Sequence, residues 1–414
     1  MSLLIKKAKI IDSSSKFHLQ TMDLFIENGE IISIQENITQ TAKQIITGDS
    51  LHVSTGWMDL HAEFNDPGFE HKEDLESGAN AAKNGGYTTV VVSANTHPVT
   101  ETKGQVNYIS NRSKSLPIEI KTFGALSEKL EGKNFTEMYD LHLSGAVGFS
   151  DGLLPISNPD LIKRALLYSK TFNGKVVVYP SDNRISHNGV MHEGISSTKL
   201  GLKPNPSLSE EIMVARDLAI AEYCDAPIHF RTISSARSVE QIKRAKKRGV
   251  QVSCDVAIAN LLWNDTALED FDSNYKVTPP LRSEKDRKAL IKGINDGSID
   301  CIVTNHNPQN IEEKQCEFDL AAFGQSSIDT SYSAYQSYLS NQIPVEKWVE
   351  ATATNPRKIF NQEVAIIQEG EIANITIFDT TTEWSLQATD LKSKSKNSPL
   401  IGAKLTGKVI GVVC

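Results

Sequence analysis

The chain has 414 residues, too many for one compact domain of about 100 to 200 and enough for a barrel of about 250 plus a smaller unit. Hydrophobic residues at 39% and charged residues at 23% exclude the signature of a disordered chain and allow a large core. The net charge of -8, with Lys and Arg scattered rather than clustered, argues against nucleic acid as a partner. Five cysteines with no CxxC pair fit neither a disulfide framework nor a zinc-finger cage, and are expected to be reduced, buried thiols. The stretch Met1 to Asp12 lacks the apolar core of a leader, and no apolar run approaches the roughly 20 residues that cross a bilayer. A cytoplasmic protein with no membrane partner is expected.

From Leu3 to Val53 short runs alternate apolar and polar residues, and Asn28-Gly29 between two of them predicts a tight hairpin. From Thr88 to Thr304 apolar strands alternate with helical stretches: Thr88 to Ser93, Val176 to Tyr179, Ile228 to Phe230, Val250 to Val256 and Ile299 to Thr304. One unit is clear, with Val239, Ile242 and Ala245 at helical spacing within Ser238 to Arg248, a stop at Gly249, and a strand after it. This βα rhythm predicts an α/β fold with a closed (β/α)8 TIM barrel; an open doubly wound sheet is the alternative, but no Gly-rich dinucleotide fingerprint supports it. Gly370 to Asp379 and Gly407 to Val413 are β-like again, so the two ends of the chain could share a sheet.

Gly56-Trp57-Met58-Asp59-Leu60-His61-Ala62-Glu63-Phe64-Asn65-Asp66-Pro67-Gly68, followed by Phe69-Glu70-His71-Lys72-Glu73-Asp74, resembles the first-strand motif of the dihydroorotases, D-x-H-x-H-x-R-x-P-G then F-E-H-K-E-D. The similarity continues through Gly85 to Val90, Asn95-Thr96-His97-Pro98, Gly189 to Gly194, Lys276 to Arg282, Asp296 to Asp300 and Ala353 to Pro356, and so spans the whole chain. It implies an amidohydrolase-type barrel over residues 54–361 with a small β-sandwich domain built from residues 1–53 and 362–414.

The resemblance also implies a chemistry. Reversible cyclisation of carbamoyl aspartate to dihydroorotate needs hydroxide at neutral pH and a polarised amide carbonyl, which one or two zinc ions supply. The family holds them with an H-x-H pair, a bridging Asp, two single His and a late Asp in T-D-H-A-P-H. Here His61 is present, but the second member of its pair is Glu63, on the same strand face. Asp151 matches the bridging Asp, while the second Asp usual beside it is Gly152. The two single His positions read Tyr179 and Thr232, and the late motif reads Thr304-Asn305-His306-Asn307-Pro308-Gln309. The Arg that would clamp a substrate carboxylate is Asn65, the last His of the late motif is Gln309, the usual P-H-H reads Ile258-Ala259-Asn260, and Asn95 survives.

On that ligand count no metal is expected at the barrel centre; His61 and Asp151 are the residual candidates, and zinc enters only if the chain is an active hydrolase. His229 and His306 fall beside ligand positions and read as structural, and His71 to Asp74 read as a solvated helix start. A hydrogen bond from His61 to Asp151 or Glu63, with the imidazole pKa above about 6.5, is expected. No confident catalytic residue emerges, since Asn305 at the proton-shuttle position cannot accept a proton. Three functions follow. The first is a catalytically inactive pseudoenzyme of pyrimidine biosynthesis that partners aspartate transcarbamoylase, as the resemblance implies. The second is an active dihydroorotase or related hydrolase of cyclic amides. The third is a small-molecule binding protein using the old pocket. A homo-oligomer stays open.

Overall fold

The computed structural model describes residues 2–414. Sixteen strands are labelled in chain order: β1 Ser2–Ile11, β2 Thr21–Glu27, β3 Glu30–Gln35, β4 Gln44–Ile46, β5 Leu51–Thr55, β6 Trp57–Ala62, β7 Tyr87–Val92 and β8 Glu119–Thr122. The second half contains β9 Val176–Val178, β10 Met191–His192, β11 Pro204–Asn205, β12 Ile228–Phe230, β13 Val252–Ala257, β14 Cys301–Val303, β15 Ile375–Ser385 and β16 Lys404–Val413.

Strands from both ends of the chain join one seven-stranded sheet, ordered β16-β15-β5-β1-β2-β3 with β4 on β1. The β2–β3 hairpin turns at Asn28 and Gly29, with φ of 51° and 85°, which is why a short polar residue and a glycine stand there. Ile5, Ile10, Leu24, Ile31, Val53, Ile375 and Ile377 bury their side chains against one another in this unit.

Between the ends lies the TIM barrel. The parallel ladders β6-β7-β8 and β9-β12-β13-β14 are joined on one side through Phe149, bridged to Gly124 and Val176, and on the other through the Ala62–His306 bridge. The helix expected around Ser238 runs over Ala236–Lys247, capped by the Ser235 hydroxyl on Arg237 N, and buries Val239, Ile242 and Ala245. Met58, Leu60, Val91, Phe123, Val177, Val303 and Phe360 fill the barrel interior. Phe123 and Phe360 meet edge to face at 5.6 Å and form an apolar floor. Among the described residues no helix is long and apolar enough to cross a membrane. Of the five thiols, Cys224, Cys254 and Cys301 are buried, whereas Cys316 and Cys414 are exposed, contrary to the expectation for all five.

The helix Leu208–Cys224 carries a buried carboxylate, Asp217, whose one ion-pair partner is Arg216 at 2.8 Å. Burial raises its pKa from 3.8 to about 6 despite that partner. The folded state therefore binds the proton more tightly than the unfolded chain, so stability should fall as pH rises from about 4 to about 6, by up to about 3 kcal/mol for this group. Asp217→Asn should remove its share of that slope; urea midpoints at pH 4.5 and 7 that change equally in both proteins would refute the assignment.

Candidate active site and metal centre

Strand alternation places His61 on the inner face of β6, His229 on that of β12 and Asp255 on that of β13. The three converge. His61 Nε2 and His229 Nε2 lie 2.7 and 2.8 Å from the same Asp255 oxygen, Oδ2. Since an ionised carboxylate only accepts, each imidazole presents Nε2–H to it in this arrangement. Asp255 Oδ1 accepts from Thr232 N at 2.8 Å, and His229 Nδ1 is held by Ser253 Oγ at 2.8 Å. His61 stacks on Phe123 and His229 meets Phe360 edge-on, so the cluster rests directly on the apolar floor.

That dry setting governs the charges. Burial lowers the His61 pKa to about 4, outweighing the attraction of Asp255. For Asp255, burial alone would raise the carboxyl, but its contacts with His61 and His229 prevail and hold it below the usual carboxylate range. The expectation of a His61 bond to Asp151 or Glu63 and a raised imidazole pKa is thus corrected: the partner is Asp255, and desolvation decides the sign.

The expectation of no metal is also overturned. His61, His229 and Asp255 place a ligand atom each within 4.8 Å of one another, a group that could hold a metal ion. Two imidazoles and one carboxylate match the three protein ligands of an open catalytic zinc site, and the fully buried His61 Nδ1 has no hydrogen-bond partner. His229, read from its position as structural, belongs to the group. Asp151, the other residual candidate, does not: its oxygens accept from Leu126 N, Ser127 N and the Ser127 hydroxyl, and it pins that loop. Burial raises its pKa.

Above this tier, toward the C-terminal ends of the strands, stand Glu63 and Arg231. Arg231 Nη2 donates to Glu63 Oε1 at 3.3 Å and Nη1 to Ser93 Oγ at 3.1 Å. Of the other positions drawn from the sequence, Asn260, Asn305 and Gln309 have partners of their own. Asn65, Thr232 and Asn305 all have left-handed backbone, with φ of 58°, 50° and 48°, a costly state for a β-branched threonine. Asn305 Nδ2 donates to Thr278 O at 2.9 Å, while its Oδ1, Thr232 Oγ1 and Asn95 Oδ1 are buried without partners. A side chain at Gly152 would strike the Asn95 amide, with a Cβ 2.2 Å from its Oδ1, so the retained Asn95 occupies the space that the Asp usual at 152 would need. Tyr179 is buried, which pushes its phenol pKa up. Gln309 turns to Asn307 and to Lys72, at 2.8 Å each. Asn260 donates to Pro280 O at 3.1 Å.

One other reading changes. Glu73 is not solvated: it is fully buried, accepts from the Ser77 and Ser393 hydroxyls and from Lys394 N, and stands 3.5 Å from His306 Nε2. His306 Nδ1 accepts from Ser327 N at 3.1 Å, a structural role.

Comparison with known proteins gives a consistent picture. The family model described as dihydro-orotase-like matches residues 52–238. Over 410 residues the chain is 39% identical to a protein named dihydroorotase from Acetivibrio thermocellus, covering 98% of this chain and 96% of that one. Over 411 residues it is 36% identical to a dihydroorotase from Ruminiclostridium cellulolyticum, covering 99% and 96%. In fold it is similar to the L-hydantoinase (dihydropyrimidinase) of Arthrobacter aurescens, with a TM-score of 0.85 at 19% identity over 99% of this chain and 94% of that chain. A dihydropyrimidinase from Brevibacillus agri superposes with a TM-score of 0.81 at 19% identity, over 100% and 93%.

Proposed function

Since the chain belongs to the dihydroorotase family, we propose that it is a cytoplasmic hydrolase of a cyclic amide of the dihydroorotate class, acting in pyrimidine biosynthesis with a metal ion held by His61, His229 and Asp255. The observation that carries this reading is the convergence of those three side chains at the C-terminal side of a barrel floor, where barrel enzymes place their chemistry. Held there, zinc would lower the pKa of a bound water and polarise a carbonyl.

Ring opening adds water across a C–N bond: the hydroxyl goes to the carbonyl carbon and a proton to the departing nitrogen. Asn305 cannot carry that proton. Glu63, next along the same strand face from His61, is the carboxylate placed to do so. Thr232 N fixes the orientation of Asp255, and the unpartnered Asn95, Thr232 and Asn305 oxygens offer acceptors for the N–H groups of a cyclic ureide. The protein purified without chelators should hold about one zinc per chain and turn over dihydroorotate or carbamoyl aspartate at a rate that dialysis against chelator removes and zinc restores. Metal-loaded protein with no detectable turnover would refute the reading.

A second reading has its own support in Asn305 and Gln309, the lost proton-shuttle position and a lost substrate-holding position of the resemblance. It is a non-catalytic chain that assembles with aspartate transcarbamoylase. Co-sedimentation of the two at micromolar concentration, where an interface of about 1,200 to 2,000 Å² persists, together with absent turnover, would select it.

A further inference from the structure

The mouth of the barrel is built in two tiers. His61 and Glu63 are two residues apart on β6 and its extension, and His229 and Arg231 are two apart on β12 and its extension. The ladder continues through both upper residues, with Glu63 N on His306 O at 2.8 Å and Arg231 N on Val178 O at 2.9 Å. The same alternation that brings the two imidazoles together on Asp255 therefore sets the guanidinium of Arg231 against the carboxylate of Glu63 directly above them.

Arg231 is fully buried, and its partners are few for so costly a group. It has the single 3.3 Å bond to Glu63, a hydroxyl at Ser93, and an Nε with no partner. A buried guanidinium in such a place persists because it neutralises a carboxylate that would otherwise be unpaired. With the imidazoles neutral, as metal ligation requires, Asp255, Glu63 and Arg231 sum to one negative charge. One divalent ion turns that into a single positive charge. A second would leave three positive charges in a low-dielectric pocket, which their mutual repulsion opposes.

We infer that Arg231 is a tethered cation that competes with metal for Glu63, keeps this carboxylate out of the coordination shell and limits the site to one ion. Arg231 is thus a positioning residue: it holds Glu63 free as a proton carrier and leaves the ion an open position. The inference rests on the functional reading only in taking His61, His229 and Asp255 as the ligands.

Equilibrium dialysis with zinc chloride and absorption titration with cobalt chloride test it, using the full chain. The wild-type chain should take one equivalent. Arg231→Met should bind the ion about tenfold or more tightly, the scale on which a partner beyond the ligands acts, with a changed cobalt spectrum as Glu63 joins the shell. Arg231→Lys, which keeps a cation, should behave as wild type, and Arg231→Met with Glu63→Gln should lose the gain. Should Arg231→Met fail to fold, Arg231→Gln replaces it. Two equivalents in the wild type, or equal affinity with and without the cation, would overturn the inference. One equivalent in the wild type, bound more tightly by Arg231→Met, with no turnover in either would sustain it and sink the functional reading. Metal bound equally by both would do the reverse.

Discussion

Asp255→Asn should remove the metal site and destabilise the barrel together, because one oxygen of this residue serves both imidazoles and the other serves Thr232 N. The amide keeps the shape but has one acceptor where three donors now converge. Its NH2 would point at an imidazole N–H or at Thr232 N, leaving at least one buried donor unpaired, at about 1 to 3 kcal/mol. Because Asp255 carries the only charge among the three ligands, zinc affinity should fall by more than the roughly 10- to 100-fold that loss of an outer partner costs. The loss of metal is read by dialysis and elemental analysis, the loss of stability by urea unfolding of the metal-free protein. Retention of zinc at wild-type affinity would show that the ion sits elsewhere. Unchanged stability of the metal-free protein would show that the hydrogen-bonded triad is not what holds the imidazoles.

The residues of this site differ in how far they can be read from the chain. His61 and Glu63 are visible as a pair because period-two alternation within one strand is a local property, and the barrel is visible because each βα unit repeats it. Asp255 is separated from His61 by 194 positions, and the run Val252 to Ala257 looks like an ordinary buried strand. The signal that was there is that Ser253 and Asp255 alternate with apolar neighbours in a strand that should be apolar on both faces. His229 and Arg231 carry the same signal on β12. Asp151 misleads in the opposite direction. It occupies a ligand position by motif, but two backbone N–H groups and a hydroxyl three-dimensionally beside it claim its oxygens. Glu73 likewise looks like a solvated helix start until the segment Ser393 to Lys394, more than 300 residues on, closes over it. In each case the deciding partner is remote in sequence, which motif spacing does not register.

Asn305→Asp should raise turnover by about 10²-fold or more, the scale of general acid–base assistance. The position lies just beyond β14 at the mouth, with Oδ1 buried and unpartnered, so a carboxylate there would face the reacting centre with a free acceptor. The exchange is not free of cost. Asn305 Nδ2 now donates to Thr278 O at 2.9 Å, and an aspartate would set two acceptors against each other, losing about 1 to 3 kcal/mol of stability. The left-handed backbone, φ 48°, is no obstacle, since Asp tolerates it nearly as well as Asn. Rate should therefore rise while stability falls, and the two are separable by measuring kcat/KM and urea midpoints on the same preparation. The outcome also ranks the proton carriers. If Asn305→Asp accelerates the reaction and then tolerates Glu63→Gln, the new carboxylate has taken over the transfer. If metal-loaded Asn305→Asp turns over no faster than wild type while Glu63→Gln abolishes the reaction in both, Glu63 already carries the proton at full effect and position 305 lies outside the proton path. If neither protein turns over with zinc bound, a carboxylate at position 305 does not supply the missing step and the hydrolase reading falls.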